Sequence, residues 1–281
     1  MSILLGINIY AAKSDGARRQ ENCLKSLRAL EGVSLVNLQF ANDTIEAAGF
    51  ATVCELKSDS RKVTGRKGAQ KPIISEIFTV LADRARLEGL RYFGFTNSDI
   101  IISQAAIDCA IAGGKEAYIF SRMDYNGESG EELEMLIWGT DLFIIDAQWW
   151  LDNRTRFRPY IFGEFCWDNV CSSIILCHSN GILLNRDPYI KHERHNNNLT
   201  DSPFGWYNGL LAALDRPYFS LWCRYCELLD EKRAQAAGRE EELELQASIF
   251  VWRQSNYERL IQALRGARAR LRYATWSLLR N

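Results

Sequence analysis

The chain has 281 residues, and its 34 lysines and arginines are nearly balanced by 35 aspartates and glutamates. A net charge so close to zero excludes the broad basic surface that duplex nucleic acid requires, so we expect no nucleic-acid partner. The longest apolar runs are far shorter than a membrane span, and the N-terminal residues lack a basic leader with a cleavage site, so the sequence predicts a cytoplasmic protein.

Strands and helices alternate over the first hundred residues. The predicted strands are residues 3–10, 33–40, 51–56, the apolar run within YFGFTNSDIII, 117–122 and 141–146. A helix is predicted around residues 23–30, where apolar residues recur at helical spacing, and another follows Pro72 and ends at Gly89. Strands that alternate with helices are joined by right-handed crossovers, which predicts an α/β fold with a mostly parallel sheet.

The pattern changes in the C-terminal part of the chain. A helix is predicted at residues 167–177, and from Pro203 onward strand patterns cease while tryptophans punctuate long helical patterns. This predicts a subdomain of three helices. We therefore predict one domain over residues 1–202 and a helical extension over residues 203–281.

The eight cysteines lie mostly in apolar segments and lack the spacing of a disulfide scaffold. Cys223 and Cys226 form a lone CxxC without the second pair that a zinc site needs, so a helix face is the simpler interpretation. The sequence predicts reduced and mostly packed cysteines.

Polar residues interrupt the apolar run YFGFTNSDIII. Asn97, Ser98 and Asp99 follow the predicted strand directly, and ligands of open parallel sheets collect beyond the carboxyl ends of strands. Because a buried, unpaired carboxylate is costly, Asp99 needs a partner. A divalent cation such as Mg²⁺ or Mn²⁺ is one candidate; the cap of a helix beginning near Ser103 or an arginine pair are the alternatives.

Two acids flank a tryptophan in the segment FGEFCWDN. Glu164 or Asp168, at a predicted loop-to-helix junction, could act as a general base whose basicity is set by partial burial. The alternative for Asp168 is an ordinary N-cap.

The segment HERHNNN holds two of the three histidines in the chain. We interpret it as a polar loop, which is a poor core element, so His192 or His195 is expected to bind a metal or a phosphate. A zinc-protease helix is excluded because its histidine spacing differs.

Basic residues and glycines alternate over residues 61–71, up to Lys71. Glycines let backbone N–H groups approach a nucleotide diphosphate closely, whereas a solvated loop is the alternative. The segment lacks the order of a phosphate-binding P-loop, so we do not expect an ATPase.

The segments that carry a family resemblance are, in order, GINIYAAKSDGARRQENCLKSL, KPIISEIFTVLADRARLEGLRYFGFTNSDIII, GTDLFII, GEFCWDN and HERHNNN. Together they resemble the nucleotide-sugar glycosyltransferases of the GT-A fold, and in particular a bacterial branch in which an NSDI element replaces the usual DxD. The resemblance covers roughly residues 3–200. It implies a Rossmann-related, mostly parallel sheet flanked by helices, with the C-terminal helices as an extension.

The resemblance also implies roles for the N-terminal loop. The segment after the first strand, with Asn8, Tyr10, Arg18 and Arg19, is similar to the part of these enzymes that receives the nucleotide base and ribose.

Further roles follow for the central motifs. Asp99 resembles the last acid of DxD, which binds the metal bridging the donor phosphates, while Asn97 and Ser98 stand in the rest of that motif. Gly139 and Asp141 resemble the strand that faces the acceptor and the donor sugar.

The two C-terminal motifs complete the implied site. Asp168 resembles the general base of inverting members, with Glu164 next in line. His195, or else His192, resembles the histidine that completes the metal site. The implied cofactor is Mn²⁺ or Mg²⁺.

The resemblance predicts a glycosyltransferase that moves a sugar from a nucleotide-diphosphate donor to a glycan or lipid-linked glycan. The alternatives are a sugar-nucleotide nucleotidyltransferase and a non-catalytic protein that binds sugar nucleotides or glycans. The basic C-terminal segment ERLIQALRGARARLRYATWSLLRN is compatible with contact to anionic lipid at the inner face of the plasma membrane, with a homo-oligomer contact, or with a helix that caps the domain.

Overall fold

The computed structural model describes residues 2–195, 202–250 and 256–278. The described strands are β1 (Ile3–Ile7), β2 (Val33–Phe40), β3 (Ala51–Leu56), β4 (Tyr92–Thr96), β5 (Ile100–Ile102), β6 (Ala117–Phe120), β7 (Arg122–Tyr125), β8 (Glu132–Leu136), β9 (Leu142–Asp146), β10 (Ile182–Leu184) and β11 (Ile190–Glu193). The described helices are α1 (Asp15–Arg28), α2 (Ser60–Thr64), α3 (Ile74–Leu87), α4 (Gln104–Gly113), α5 (Ala147–Asn153), α6 (Trp167–His178), α7 (Gly205–Leu214), α8 (Arg216–Ala234), α9 (Arg239–Phe250) and α10 (Asn256–Leu278).

The described residues divide into two compact units. The first unit takes in those of Met1–Lys57, Ser75–Phe157 and Ser179–Asn197, and the second unit takes in those of Ser58–Ile74, Arg158–His178 and Asn198–Asn281. The second unit thus adds two earlier segments to the C-terminal helices. The domain division predicted at residue 202 stays a prediction.

The first unit contains a seven-stranded sheet in the order β10-β6-β9-β4-β1-β2-β3. All neighbouring strands are parallel except β9, which runs antiparallel to both β4 and β6. Every residue of β1 and β4 is buried, as expected for central strands covered on both faces. The predicted α/β architecture with a mostly parallel sheet and flanking helices is confirmed.

Aromatic side chains fill the core on one side of this sheet. Phe78 of α3 packs against Phe93, Phe143 and Trp150, with ring centroids 5.1 to 5.7 Å apart. The buried Trp150 indole donates a 3.2 Å hydrogen bond to Thr79. Tilted and edge-on ring packing of this kind stabilises a core beyond the area it buries.

A smaller four-stranded sheet in the first unit has the order β5-β11-β7-β8. In it β11 runs antiparallel to β5 and parallel to β7, so that His192 faces Ile100 on one side and Asp124 on the other. The interpretation of HERHNNN as a loop is therefore wrong for His192, which lies in a strand and is 3% exposed. A strand of four residues is too short for its alternation to be recognised beside polar neighbours.

The predicted strand over residues 117–122 is in fact two strands. It is divided at Ser121 into β6 of the large sheet and β7 of the small sheet. The β7–β8 pair was not expected from the sequence.

The second unit contains α2 and the helices from α6 onward. Its C-terminal part has four described helices rather than the predicted three. A new helix, α8, begins at Arg216 with Pro217 in its first turn, and residues 235–238 separate α8 from α9. The helix predicted over residues 167–177 is confirmed as α6.

All eight cysteines are free, as predicted. None of the described helices combines the length and the apolarity needed to cross a membrane.

Candidate active site

Three potential metal ligands meet beyond the end of β4. Asp99 lies in the turn between β4 and β5, His192 lies in β11, and His195 follows two residues after that strand. The Asp99 Oδ2 atom is 3.5 Å from His192 Nε2 and 3.4 Å from His195 Nε2, and the two Nε2 atoms are 3.2 Å apart. In the described part of the chain, this is the one group of acidic, histidine or cysteine side chains with the spacing of a metal site.

The donor atoms and their spacing fit a divalent cation. Ligand atoms held about 2.0–2.2 Å from one ion lie roughly 3–3.5 Å from one another, which is the spacing seen here. Carboxylate oxygen suits Mg²⁺ and Mn²⁺, while imidazole nitrogen suits transition metals. Three protein ligands would leave positions of an octahedral cation open to substrate oxygens.

Asp124 orients His192 from behind. Its Oδ1 atom lies 3.2 Å from His192 Nδ1, so Nδ1 can carry the donated proton and Nε2 faces the other two ligands. A carboxylate behind a ligating histidine fixes the ring and raises its basicity. Burial works to lower the pKa of His192, but the hydrogen bonds to Asp124 and Asp99 outweigh it, so the pKa lies above its ordinary value.

Asp99 is held as a carboxylate. Its burial works to raise the pKa, but the hydrogen bonds to His192 and His195 more than compensate and hold the pKa of Asp99 well below its ordinary range. The partner of Asp99 within the chain is thus the pair of imidazoles. The helix beginning at Gln104 has Ser103 at its N-cap, so Asp99 is not the cap of that helix.

A buried arginine links Asp124 to the residues around Asn97. Arg122 contacts Asp124 through Nε and Asp141 through Nη1, each at 2.9 Å, and Asn97 Nδ2 donates to the other oxygen of Asp141. Burial works to lower the pKa of Arg122, but the two carboxylates raise it above its ordinary value. The amide oxygen of Asn97 is buried and has no hydrogen-bond partner among the described residues.

Gly139 and Asp141, which were expected to belong to a strand, lie just before β9. Asp141 immediately precedes β9, and Gly139 lies in the preceding loop. Ser98, between Asn97 and Asp99, is 8% exposed.

The loop after β1 and the beginning of α1 lie next to this cluster. Arg18 and Arg19, which were expected in that loop, belong to α1. Arg18 makes a two-pronged ion pair with Glu193, and Arg19 lies 3.9 Å from the same carboxylate. Tyr10 is 56% exposed, and its pKa is raised by partial burial and by the negative charge of Asp99. Asn8 instead donates a 2.6 Å hydrogen bond to the carbonyl of Leu38, which anchors the loop to β2.

Two predicted site residues pair with each other in the second unit. Lys71 Nζ lies 2.6 Å from Glu164 Oε1, and Ser202 donates a 2.5 Å hydrogen bond to the same oxygen. Glu164 is buried, and its Oε2 atom has no hydrogen-bond partner among the described residues. A buried acid tied to a lysine in this way is suited to holding the loop before α6.

Asp168 lies in the first turn of α6 in the second unit and is half-buried. The residue before this helix, Cys166, adopts a left-handed φ of 60°. Burial, followed by the charge of Asp168, raises the pKa of the Cys166 thiol, so this cysteine is not an activated nucleophile. Residues 196–198 of the HERHNNN motif lie outside the described residues.

Three residues of the site were not found from the sequence. Arg122 and Asp124 position the cluster, and Glu193 contacts both Arg18 and Arg19 of α1. Arg122 and Asp124 alternate about Met123 in the pattern of a strand, which places their opposite charges on one face and is the local signal of their ion pair.

Comparison with known proteins gives a structural likeness only. No protein-family model matches the chain, and no curated protein matches it. Among solved structures, it is similar to residues 1–349 of S. aureus TarS in complex with UDP-GlcNAc, with 12% identity and a TM-score of 0.51 over 76% of this chain and 66% of that chain.

Two further structures are more distant. A cytidylyltransferase from Leptospira borgpetersenii gives 11% identity and a TM-score of 0.39 over 67% of this chain and 76% of that chain. The glycosyltransferase GlyE of Streptococcus pneumoniae gives 13% identity and a TM-score of 0.31 over 56% of this chain and 38% of that chain. The TarS likeness and the mostly parallel sheet with flanking helices show that this chain has a GT-A-like α/β fold.

Proposed function

We propose that this protein transfers a glycosyl group from a nucleotide-diphosphate-sugar donor to a glycan or lipid-linked glycan acceptor. The observation that carries the proposal is the convergence of Asp99, His192 and His195 beyond the carboxyl end of a central strand in a GT-A-like fold. In open α/β sheets, nucleotides bind at this edge. UDP-GlcNAc in the TarS complex is a ligand of the proposed class.

Asp99, His192 and His195 would hold the divalent cation. When bound, the cation would neutralise the negative charge of the leaving diphosphate. Two imidazole ligands favour Mn²⁺ over Mg²⁺, since Mg²⁺ prefers oxygen. In this proposal the Asn97-Ser98-Asp99 element takes the place of DxD.

The surrounding residues bind the donor. We assign the nucleotide base and ribose to the loop after β1, with Asn8 and Tyr10, and to the beginning of α1, with Arg18 and Arg19. Tyr10 offers an exposed ring near Asp99. The ion pair of Arg18 with Glu193 connects the beginning of α1 to the strand that carries His192.

The donor sugar is assigned to the residues around Asn97. Asn97, Asp141 and Gly139 would face the sugar, with Asp141 oriented by Arg122. Lys71 was predicted to contact the diphosphate, but its ion pair with Glu164 supports a structural role instead.

Asp168 is the proposed general base. It takes the proton of the acceptor hydroxyl as that oxygen bonds to the anomeric carbon, and the bond from this carbon to the diphosphate breaks with inversion. Glu164 is the second candidate. The ion pair of Glu164 with Lys71 and its hydrogen bond from Ser202 favour Asp168.

The proposed function is tested by removing the charge of Asp99. Asp99→Asn is expected to abolish Mn²⁺ binding by calorimetry and to abolish donor hydrolysis and transfer, as EDTA should in the unaltered protein. Asp83→Asn, which removes an exposed carboxylate on α3, is the matched control. Full activity in EDTA would overturn the proposal.

The same assays separate the alternatives. Consumption of a nucleoside triphosphate with release of pyrophosphate would identify a nucleotidyltransferase. Donor binding without turnover over a wide acceptor panel would identify a binding protein.

The role of Asp168 has its own test. Asp168→Asn should lower the transfer rate by about 10²- to 10⁴-fold, the usual contribution of a general base, while donor affinity stays unchanged. A near-normal rate would assign the role to another residue, and Glu164→Gln would be examined next.

A further inference from the structure

A cavity of about 750 Å³ lies in the second unit between α7, α8 and α10. Its size falls in the range of small-molecule sites, about 300–1,000 Å³. Trp206 and Trp276 form one wall, with ring centroids 5.2 Å apart, and small or aliphatic residues of α7 and α10 form the floor. None of the residues described above for the transfer reaction lines this cavity.

Three arginines surround the apolar wall. Arg216 begins α8, while Arg268 and Arg272 lie one turn apart on α10, and all three are exposed. Within the described residues, none of the three has an ion-pair partner. Three uncompensated guanidinium groups around one cavity favour an anion, and planar guanidinium matches phosphate particularly well.

The remaining lining defines the body of that ligand. Apart from the arginines it consists of tryptophan, leucine, alanine and glycine, without a carboxylate, amide or hydroxyl side chain. Such a lining suits hydrocarbon and leaves the hydroxyl groups of a free saccharide without acceptors. The ligand should therefore join an apolar body to an anionic head.

Exposed leucines extend the apolar surface beside the arginines. Leu264 and Leu271 of α10 are 62% and 70% exposed. They lie within one helical turn of Arg268, on the same side of the helix. Leucine and arginine together on one helix face are typical of contact with an anionic lipid surface.

We propose that this cavity binds one lipid molecule through a phosphate headgroup, with the arginines on the phosphate and the hydrocarbon next to the headgroup against Trp206 and Trp276. The inference goes beyond the transfer reaction and does not rest on it. A lipid-linked acceptor would be one such ligand if the proposed function holds.

The test measures binding of dihexanoyl phosphatidic acid, a soluble lipid phosphate, by calorimetry. It should bind at least ~10-fold more tightly than inorganic phosphate, because only the lipid buries apolar surface. The double variant Arg268→Gln/Arg272→Gln should weaken lipid binding at least ~10-fold, since two charge-assisted contacts are lost. Arg224→Gln/Arg270→Gln removes the same charge from exposed positions of α8 and α10 that do not line the cavity, and should leave affinity nearly unchanged.

A neutral variant tests the cavity itself. A Cβ atom added at Gly209 meets no atom within 4 Å, so Gly209→Phe can fill the cavity without a clash at its first carbon. It should abolish lipid binding while thermal unfolding shows an intact fold. Flotation with phosphatidylglycerol vesicles, compared with phosphatidylcholine vesicles, should follow the same order of variants.

Several results would overturn the inference. If the lipid and inorganic phosphate bound with equal affinity, the site would bind only the anion and not the hydrocarbon. If the two double variants lost the same amount of lipid affinity, binding would depend on overall charge and not on this cavity. Tight binding of trigalacturonate with no binding of lipid would assign the site to acidic saccharides. Asp99→Asn should bind lipid normally, so failure of the transfer reaction and failure of this site can be told apart.

Discussion

Asp124 acts on the metal-type cluster without belonging to it. Its carboxylate holds His192 Nδ1 and is itself held by Arg122. It is thus a positioning residue, and its contribution depends on negative charge directed at the imidazole.

Asp124→Asn is expected to reduce Mn²⁺ affinity by about 10- to 100-fold, the usual effect of losing a carboxylate behind a histidine ligand. Titration calorimetry measures the change, with thermal unfolding as a check on the fold. Asp83→Asn, the exposed substitution used above, should leave the affinity unchanged. An unaltered affinity in Asp124→Asn would refute the positioning role.

The raised pKa of His192 makes the stability of the metal-free protein depend on pH. A histidine whose pKa is higher in the folded than in the unfolded chain stabilises the fold fully below its unfolded pKa of about 6.5. That contribution is lost as pH rises through the folded pKa. Metal binding has the opposite dependence, because the neutral imidazole is the ligand.

In urea unfolding with EDTA present, the stabilisation that His192 adds to the free energy of unfolding should therefore decrease as pH rises above about 6.5. His192→Gln should remove this contribution, whereas His178→Gln, at a histidine bonded to Tyr218 in the second unit, should retain it. Mn²⁺ affinity of the unaltered protein should rise over the same range. An identical pH dependence in His192→Gln would contradict the assignment.

At the scale of elements, short strands bring the cluster together. Ile100 of β5 pairs with His192 of β11, so Asp99 is placed beside His192 by sheet register. A shift of one residue would turn His192 to the other face of the strand. The cluster is thus only as stable as the small sheet.

The loop before α6 depends on one buried amide of α7. Asn208 accepts from the Ile161 N–H and donates to the carbonyls of Ile161 and Phe165, at 2.9 to 3.2 Å. Asn208 is 0% exposed. Its removal would leave several buried backbone groups without partners.

Asn208→Ala should lower the free energy of unfolding by about 3 kcal/mol, since each buried polar group left without a partner costs about 1–3 kcal/mol. Urea denaturation measures the loss. Glu227→Ala, at an exposed position of α8, is the control and should change stability little. A change below the usual range of surface substitutions, about 0.5 kcal/mol, would show that the loop does not depend on this amide.

At the scale of the whole molecule, ligand binding should raise thermal stability. A ligand that binds only the folded state at 100 times its dissociation constant adds about 2.7 kcal/mol to the free energy of unfolding. We expect one class of nucleoside diphosphate to raise the melting temperature with Mn²⁺ present and much less in EDTA. A screen in which no nucleotide shifts the melting temperature in either condition would count against the donor.

The amino-acid sequence by itself determined the alternation of strands and helices over the first hundred residues, the mostly parallel sheet and the position of Asp99 after a buried strand. These features follow from local hydrophobic periodicity and from the rules of crossover connections. The motif resemblance predicted the same fold.

Only the tertiary structure decided which residues meet. Asp99, Asp124 and His192 come from three separate strands or turns, and their contacts depend on pairings of β5, β11 and β7 across up to about ninety residues of chain. Local periodicity carries no information on such register, because hydrogen bonding between distant strands selects it during packing. For the same reason nothing in the sequence indicated that Lys71 forms an ion pair with the buried Glu164, 93 positions further along the chain.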